Sequence, residues 1–371
     1  MNICIIYNLT QKYRESIWRE LSNDSWNFEI YSDYLTNLSI KQIDKKNIKG
    51  FNDNADLNIF PFLKNIYLKK ILIFQKNLFN IIKSKPYDIY IFLGDIYSLS
   101  TWLSLIYLKL KNHKTIIWTH GAYGNENIIK RYYYKTFLKL ADGILVYENR
   151  AKKILINEFK LKSEVSVVYN SLDYKLQNKI KLNLFSKPKL SNSKYFCFIG
   201  GIQKRKNIQI LLDSFIHLKN KNILPNYKLF IIGDGIDFNY YSNKYKTDDI
   251  VFTGAIYDEE TIANYLYNAE AMISPGHVGL NVIHSLSYGT PVITHSNHYN
   301  HAPEFEAITN ETGAFFNEGS LESLSNTIIK WVESKRDRNI TRLKCYKIID
   351  KYYNPFNQKL IIKKLINNII K

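Results

Sequence analysis

One short segment constrains the fold more than any other: residues 271–296, AMISPGHVGLNVIHSLSYGTPVITHS. Residues 271–274 predict a buried strand, and Gly276 and Gly279 then allow the backbone to turn sharply. We expect a helix from about residue 280 to 288, followed by a strand over 292–294. The free amides at such a helix start, together with the helix dipole, favour a phosphate or diphosphate. The alternative is an ordinary strand–turn–helix unit that binds nothing.

Short apolar runs alternate with longer helical patterns along most of the chain, which is typical of parallel sheets covered by helices. In the first half these runs are residues 3–7, 28–31, 89–93, 115–118, 143–147 and 165–169. The second half repeats the pattern with strands expected at 195–200, 228–232, 250–252 and 271–274. Because 371 residues exceed a comfortable single domain, we expect an α/β protein with two doubly wound, Rossmann-like domains.

The alternation is interrupted at residues 171–193, which are rich in Lys, Asn and Ser. The sequence thus predicts a first domain over 1–170, a linker over 171–193, a second domain over 194–338 and helices over 339–371. In the last of these helices, Leu360, Ile361, Leu365 and Ile369 are spaced as one apolar face.

Three cysteines, Cys4, Cys197 and Cys345, are too few and too scattered for a disulfide framework or a zinc site. The first residues, MNICIIYN, carry no charged leader or cleavage pattern. No window approaches the roughly 18 apolar residues that a membrane span needs. We therefore expect a cytoplasmic protein that meets a membrane only from its surface.

The formal net charge of +18 is distributed unevenly. It amounts to +10 over residues 1–170, +4 over 171–193, −5 over 194–333 and +9 over 334–371. The chain shows no recognition-helix, zinc or RNA-binding-sheet pattern, so we expect no nucleic acid partner. A basic first half beside a slightly acidic second domain predicts one surface that faces anionic lipid or a polyanionic substrate.

Residues 57–87 contain no acidic side chain, and their spacing predicts a basic helix. Six apolar residues share one face and three lysines share roughly the opposite one: Leu63, Tyr67, Ile71, Phe74, Leu78 and Ile81 against Lys69, Lys76 and Lys83. Such a helix could lie on anionic lipid. It could equally be a domain helix with a solvated lysine face, because further apolar residues broaden its buried surface.

Several segments together resemble the retaining glycosyltransferases of family four, the glycosyl transferases group one, and within it a branch of bacterial surface-polysaccharide transferases. They are WTHGAYGNE (118–126), VVYNSLDY (167–174), FIGGIQKRKNIQILLDSF (198–215), LFIIGDGID (229–237), VFTGAIYDEETIANYLYNAEAMISPGHVGLNVIHSLSYGTPVITH (251–295) and ETGAFF (311–316). The resemblance implies the GT-B architecture, in which two Rossmann-like domains face each other across a cleft. It also implies that the last helix returns to the first domain.

The resemblance further implies that the second domain binds a nucleoside-diphosphate sugar. Arg205 and Lys206 match the family's phosphate-binding pair, although they could also belong to an ordinary solvated charge run over 204–206. The amides of Gly279, Leu280 and Asn281 would face the same diphosphate. The other implied donor residues are Gly201, Gly233, Thr253, Gly254, Ile256, Gly276, His277 and His284.

The same resemblance implies no metal and no cofactor, with UDP or GDP favoured over CMP as the donor nucleotide. Fixed cations and a helix end would meet the charge of the leaving diphosphate. The Asp-x-Asp pair of metal-dependent sugar transferases is missing. Five histidines lie within residues 277–301, but their spacing does not favour a metal site.

His120 matches the position where related enzymes hold a histidine beside the sugar, where it could donate to a hydroxyl or share a proton. The alternative is a structural cap after a strand. Gly121 favours the functional interpretation because it allows close backbone approach. Glu304 is the best candidate for a remaining acid, and Arg14, Gly121 and Tyr123 are expected to contact the acceptor.

Two positions depart from the family pattern. Its usual glutamates, eight residues apart, fall on Gly276 and His284. The first normally contacts the sugar and the second the ribose hydroxyls. His284 could still hydrogen-bond the ribose as donor or acceptor, whereas Gly276 offers only its backbone.

The sequence therefore predicts a glycosyltransferase, peripheral on the inner face of the cytoplasmic membrane, with a lipid-linked or surface-polysaccharide glycan as acceptor. The expected partners are a nucleotide-sugar donor, that acceptor and an anionic membrane surface. Two alternatives stay open: a sugar-nucleotide epimerase of the same fold, and a non-catalytic partner in a polysaccharide assembly complex.

Overall fold

The computed structural model describes residues 1–35, 41–68, 71–188, 191–334 and 336–371. The strands are β1 (Asn2–Leu9), β2 (Asn27–Asp33), β3 (Ile59–Phe60), β4 (Lys64–Leu68), β5 (Leu72–Lys76), β6 (Ile89–Leu93), β7 (Lys114–Thr119), β8 (Gly143–Val146), β9 (Glu164–Val167), β10 (Lys194–Ile199), β11 (Tyr227–Ile232), β12 (Ile250–Gly254), β13 (Met272–Ser274), β14 (Val292–His295) and β15 (Gly313–Phe316). The α-helices are α1 (Glu15–Ser22), α2 (Leu78–Ser84), α3 (Leu99–Leu110), α4 (Ile128–Leu138), α5 (Asn149–Lys153), α6 (Tyr174–Lys181), α7 (Ile208–Asn220), α8 (Phe238–Tyr245), α9 (Glu259–Asn268), α10 (Leu280–Ser287), α11 (Leu321–Glu333), α12 (Arg338–Lys351) and α13 (Pro355–Ile370).

The first compact unit comprises residues 1–173 and 354–371. Its parallel strands lie in the order β3-β2-β1-β6-β7-β8-β9. Helices cover both faces of this sheet, and α13 supplies Ile362, Leu365 and Ile366, all fully buried, to the core on one face. Chain order reverses between β1 and β6, which makes the carboxyl ends of these strands the expected ligand position in a doubly wound sheet.

The second compact unit comprises residues 174–353. Its parallel strands lie in the order β12-β11-β10-β13-β14-β15. One core face packs α7 and α11 on the sheet, with Leu211, Phe215, Leu324 and Ile328 fully buried. The reversal of chain order falls between β10 and β13. Ligand binding is therefore expected in the loops that follow these two strands.

The predicted α/β class with two parallel, doubly wound sheets is confirmed. Each predicted strand overlaps an observed one: β1, β2, β6, β7, β8 and β9 in the first unit, and β10, β11, β12, β13 and β14 in the second. The pattern was informative because buried parallel strands are continuous apolar runs bounded by polar turns.

The predicted basic helix, whose two faces were expected over residues 63–83, is wrong except in its last turns. Strands β4 and β5 form an antiparallel hairpin, with Ile66 opposite Phe74 and Tyr67 opposite Ile73, and only the short α2 follows it. Isoleucine and aromatic residues favour a pleated strand over a helix because their branched or bulky side chains are restricted in a helical turn. Lys69, one of the predicted basic positions, lies outside the described residues.

The predicted linker over 171–193 contains α6. In this helix the Gln177 side chain is buried and its Nε2 donates to Glu259 Oε1 at 3.3 Å, so α6 packs on α9 in the second unit. A lysine- and asparagine-rich composition concealed this helix, because only Gln177 and Ile180 of its residues are buried. Residues 189 and 190 of the predicted linker lie outside the described residues.

The three cysteines are buried and unbridged. Among the residues described, none of the helices combines the length and the apolar character that crossing a bilayer demands.

The packing of α13 predicts a specific loss of stability. Leu365→Ala should lower the free energy of unfolding by about 2–5 kcal/mol, because it opens a cavity at a fully buried position. Leu360→Ala is the matched control on the same helix, since that side chain is 65% exposed, and should cost less than about 0.5 kcal/mol. Urea denaturation of both variants measures the difference. Equal effects would contradict the observed packing of α13.

Candidate functional site

The loops after β10 and β13 meet at the reversal point of the second sheet. Residues 204–206 form a short 3-10 turn after β10, and residues 275–279 follow β13. The His277 N–H donates to the Arg205 carbonyl at 3.1 Å, and Lys206 Nζ donates to the His277 carbonyl at 2.6 Å. The two segments that carry most of the predicted phosphate contacts are thus bound directly to each other.

Gly276 makes this contact possible. A Cβ atom at this position would lie 2.3 Å from the Arg205 carbonyl oxygen and 2.6 Å from the Lys206 carbonyl carbon, closer than real Cβ contacts occur. The glutamate of the related enzymes therefore has no room here unless the two loops separate. The structure gives a steric reason why this position holds glycine.

Lys206 is buried beside Arg205. Only 8% of the residue surface is exposed. Burial, and then the neighbouring Arg205 charge, lower the pKa of the Lys206 ammonium to about 8. The same two cations, after burial, lower the pKa of His277. The site therefore presents concentrated positive charge next to a neutral imidazole, an arrangement that favours a polyanionic ligand.

Helix α10 begins next to Lys206 and His277. Gly279 is its N-cap and its N–H donates to Asn281 Oδ1 at 2.9 Å, so Asn281 caps the turn and the next amides belong to the open helix end. Leu280 and Asn281 are half-buried. The Glu304 carboxylate is buried nearby, and its Oε2 would lie 3.8 Å from a Cβ added at Gly279. Glu304 thus lies beside the start of α10, together with the phosphate residues predicted from the sequence.

His284 occupies the position of the missing second glutamate, on α10. Its Nε2 lies 2.9 Å from Glu259 Oε1, which also accepts from Tyr288 Oη at 2.6 Å. Burial raises the pKa of Glu259, but hydrogen bonds and charge from His284, then Tyr288 and Gln177, lower it to about 2. Because an ionised carboxylate only accepts hydrogen bonds, His284 Nε2 carries a proton and donates it to Glu259.

The remaining donor residues predicted from the sequence lie at the ends of β10, β11 and β12. Gly233 has φ +141°, and an added Cβ would lie 2.0 Å from the Gly200 carbonyl oxygen. Thr253 Oγ1 donates to the Gly254 carbonyl at 3.0 Å. Gly201 is exposed and Ile256 is half-buried, in the loops that follow β10 and β12 respectively.

The predicted acceptor residues lie together in the first unit. A pocket of about 420 Å³ opens at the carboxyl ends of β1, β6, β7 and β8. Arg14, His120, Gly121 and Tyr123 all line it. Gly121 has φ +77° and packs so closely that an added Cβ would lie 2.7 Å from Ala151 Cβ. The structure thus brings these four residues together, as a group of their own within the first unit.

His120 is solvent-accessible inside the concave pocket, and its ring lies 4.8 Å from that of Tyr147. Surrounding protein, and then the charge of Arg14, lower the pKa of His120 to about 4. The imidazole is therefore neutral near pH 7 and suited to hydrogen bonding, not to carrying a charge.

Sequence reasoning missed Glu259 and Tyr147. Glu259 is the first residue of α9 and is distant in sequence from His284, so nothing local marks it as a partner. Tyr147 lies just beyond β8, and the rule that ligands sit at carboxyl ends of parallel strands could have indicated it. Among the described residues no group of His, Cys, Asp or Glu is arranged to hold a metal ion. His301 illustrates why: its Nδ1 accepts from Val278 N at 3.2 Å and its Nε2 lies 2.9 Å from the His295 carbonyl.

Comparison with known proteins places this architecture among sugar transferases. Residues 180–347 match the family model described as Glycosyl transferases group 1. An uncharacterised glycosyltransferase of Methanocaldococcus jannaschii is 22% identical over an alignment that covers 95% of this chain and 93% of that protein. The alpha-monoglucosyldiacylglycerol synthase of Streptococcus pneumoniae is 28% identical over 46% of this chain and 41% of its own length.

Among solved structures, HepE of Anabaena in complex with UDP has a similar fold, with a TM-score of 0.69 at 11% identity. The likeness covers 99% of this chain and 100% of that one. At this identity it establishes the fold alone.

The lowered pKa of Lys206 predicts a pH dependence of diphosphate binding. Lys206 is largely charged at about pH 7 and largely neutral at about pH 9, so the affinity for UDP should fall about tenfold over that interval. The sign follows because a bound diphosphate favours the protonated ammonium. Calorimetric titration at several pH values measures the effect.

Lys206→Met should remove this dependence, while Lys204→Met, at the exposed lysine two residues earlier, should retain it. A pH-independent affinity in the parent protein would show that Lys206 does not contact the diphosphate.

Proposed function

We propose that the chain, which has the GT-B fold, is a glycosyltransferase of group 1, the family whose model matches residues 180–347. It would move a sugar from a nucleoside-diphosphate sugar onto a lipid-linked or surface-polysaccharide acceptor with retention. UDP or GDP is the proposed nucleotide. One observation carries the proposal: the Gly276 contact binds the Arg205–Lys206 loop to the loop that starts α10. This gathers two cations and a helix N-terminus at one point.

Such a point suits the leaving group of the reaction. As the bond to the sugar breaks, negative charge develops on the diphosphate, and fixed positive groups lower the energy of that state. Arg205 and Lys206 supply charge, and the amides of Leu280 and Asn281 supply oriented donors at the positive end of the α10 dipole. These groups would do the work that a metal ion does in other sugar transferases.

We assign the nucleoside ribose to His284. Glu259 accepts from Nε2 and thereby orients the ring, so the other ring nitrogen, Nδ1, is the atom that we assign to a ribose hydroxyl. The nucleotide base would lie against residues at the ends of β10, β11 and β12, namely Gly201, Gly233, Thr253, Gly254 and Ile256. The pair Glu259–His284 thus replaces, by two residues, the single glutamate of the related enzymes.

Within the second unit we assign Glu304, His277 and the Gly276 backbone to the sugar of the donor. Within the first unit we assign His120 to the acceptor. Glu304 provides a buried acidic group beside the α10 start. His120 is neutral near pH 7 because its pKa is about 4, so its role is to orient a hydroxyl by hydrogen bonding. Arg14, Gly121 and Tyr123 would surround the acceptor in the same pocket.

The first unit also carries an exposed apolar surface that suits a membrane-bound acceptor. We call it the hairpin surface: the exposed residues of β4–β5, α3 and α4, namely Ile66, Tyr67, Leu68, Ile71, Leu103, Ile106, Leu110, Ile128, Ile129 and Tyr132. The three elements are neighbours, since Gln75 N donates to Ser100 Oγ at 2.9 Å and Lys109 Nζ to the Lys139 carbonyl at 2.9 Å.

Exposed lysines border this surface, among them Lys64, Lys76 and Lys83. Apolar side chains that enter the headgroup region and lysines that meet anionic lipid are the features of a peripheral membrane protein. We therefore propose that the chain works on the inner face of the cytoplasmic membrane. The glycolipid product named for the Streptococcus pneumoniae relative is consistent with such a substrate.

The proposed reaction predicts nucleotide release that depends on acceptor. In a panel of UDP-, GDP- and CMP-sugars, one UDP or GDP donor should be cleaved faster when lipid extract is added. Lys206→Met should lower kcat/KM by about 100-fold or more, because it removes charge stabilisation of the leaving diphosphate. A coupled assay of nucleotide release measures the rate.

Lys228→Met is the control for loss of one positive charge, since Lys228 lies on β11 outside the proposed site. NMR of the product reports retention through the anomeric proton. Turnover of every donor at the same rate with and without lipid would refute the lipid-linked acceptor. Inversion at the anomeric carbon would refute retention.

The hairpin surface predicts binding to anionic vesicles. The double variant Tyr67→Ser, Ile71→Ser should reduce co-sedimentation with phosphatidylglycerol–phosphatidylcholine vesicles by about tenfold or more, because two exposed apolar side chains leave the interface. Ile236→Ser is the matched control, since Ile236 is 92% exposed in the second unit. Added salt should weaken binding of the parent protein. Equal binding of all three proteins would exclude this surface.

A further inference from the structure

Arg14 is a cation buried inside the first unit. Only 3% of the residue surface is exposed, yet the side chain lines the pocket of about 420 Å³. A guanidinium stays protonated in proteins, so Arg14 cannot relieve the cost of burial by losing its proton. A buried charge of this kind is normally paired with an anion.

The contacts of Arg14 leave most of its donors unused. Nη2 donates to Tyr147 Oη, whereas Nε and Nη1 are buried without a hydrogen-bond partner among the described residues. Four aromatic rings surround the guanidinium: the Cζ atom lies 5.6 Å from the centroid of Tyr7 and 5.1 Å from those of Tyr13, Trp118 and Tyr147. The rings hold the cation through their faces, but they do not satisfy its free N–H donors.

The carboxylates that line the pocket are occupied by backbone amides. Glu126 accepts from Tyr123 N at 2.5 Å and from Gly124 N at 3.0 Å. Asp95 Oδ1 accepts from Tyr97 N at 2.9 Å. Among the described residues no ion pair of Arg14 is found, and its acidic neighbour Glu15 pairs instead with Lys12 and Arg19. Lys130, which is exposed, adds a second cation to the lining.

We propose that the pocket of the first unit binds an oxyanion of the acceptor, a phosphate or a carboxylate, through the unpaired Nε and Nη1 of Arg14. An oxyanion compensates the buried charge and occupies both donors, whereas a neutral sugar hydroxyl satisfies a donor and leaves the charge uncompensated. Only the identification of this ligand as the acceptor rests on the proposed transferase function. The acceptors that fit this pocket are then those molecules that carry a negatively charged group close to the reacting hydroxyl.

The test is a titration of the full chain with inorganic phosphate at constant ionic strength. The Tm of thermal unfolding is measured at each phosphate concentration. Lys206→Met is present throughout, so that the proposed phosphate position of the second unit is weakened. Phosphate should raise Tm in this background, and adding Arg14→Met should weaken the apparent phosphate affinity at least about tenfold. Arg14→Lys, which keeps the charge but not the planar fork, should give an intermediate loss.

Lys111→Met is the matched control, since it removes an exposed lysine from the same unit and should leave the phosphate affinity unchanged. No rise of Tm with phosphate in the Lys206→Met background would overturn the inference. Full phosphate affinity in the Arg14→Met protein would overturn it equally.

A second measurement needs no change at Arg14. Since the charge of Arg14 contributes to the lowered pKa of His120, which is about 4, an anion bound beside Arg14 should raise that pKa toward its ordinary value. NMR titration of the His120 ring, assigned with His120→Gln, measures it. A purely structural Arg14 would leave the His120 pKa unchanged when phosphate is saturating.

Methyl phosphate and glucuronate distinguish the two sources of the oxyanion. Stronger Arg14-dependent stabilisation by methyl phosphate identifies a phosphate of a lipid-linked acceptor, and the reverse order identifies a carboxylate of an acidic sugar. Arg14-dependent anion binding without transfer from any donor would uphold the pocket and reject the transferase role. Sugar transfer together with anion binding that is independent of Arg14 would uphold the transferase role and reject the proposed anion pocket.

Discussion

The contact between two backbone segments at Gly276 is the constraint on which the second unit depends. Arg205 and Lys206 come from one side of the reversal point of the sheet and α10 from the other, and only a residue without a Cβ allows them to touch. Once the loops are in contact, the Lys206 ammonium is buried and fixed by the His277 carbonyl. A single small residue thus determines where the positive charge of the site lies.

The two positions at which the resembled family has glutamates differ in physical terms. At Gly276 there is no space for a side chain, because a Cβ atom would meet the backbone of Arg205 and Lys206. At His284 the imidazole contacts the carboxylate of Glu259, which is 25 residues earlier in the chain. Under the proposed function, Glu304 and Glu259 are the acidic groups of the donor site, and neither lies at the position that the family motif indicates.

The sequence predicted most of the architecture because apolar strand runs and glycine turns carry their own signal. The residues predicted to bind phosphate, Arg205, Lys206 and the start of α10, lie in short local motifs, and the structure brings their two loops into contact. Phosphate binding itself stays a prediction. Sequence reasoning failed over the β4–β5 hairpin, where helical spacing of apolar residues coincided with strand-favouring residue types. It also missed Glu259 and the buried state of Arg14, because each depends on which distant elements pack together, and a single sequence does not reveal this.

The return of α13 to the first unit has a consequence for synthesis. Ile362, Leu365 and Ile366 complete a core whose other residues lie before residue 174. The ribosome therefore makes the whole second unit before the first one has received its last packing element. Domains commonly fold in the order in which they emerge, but here the unit that begins first is completed last. Until then, the apolar surface that α13 covers stays open to solvent, and this interval is when the nascent chain has most need of protection from aggregation.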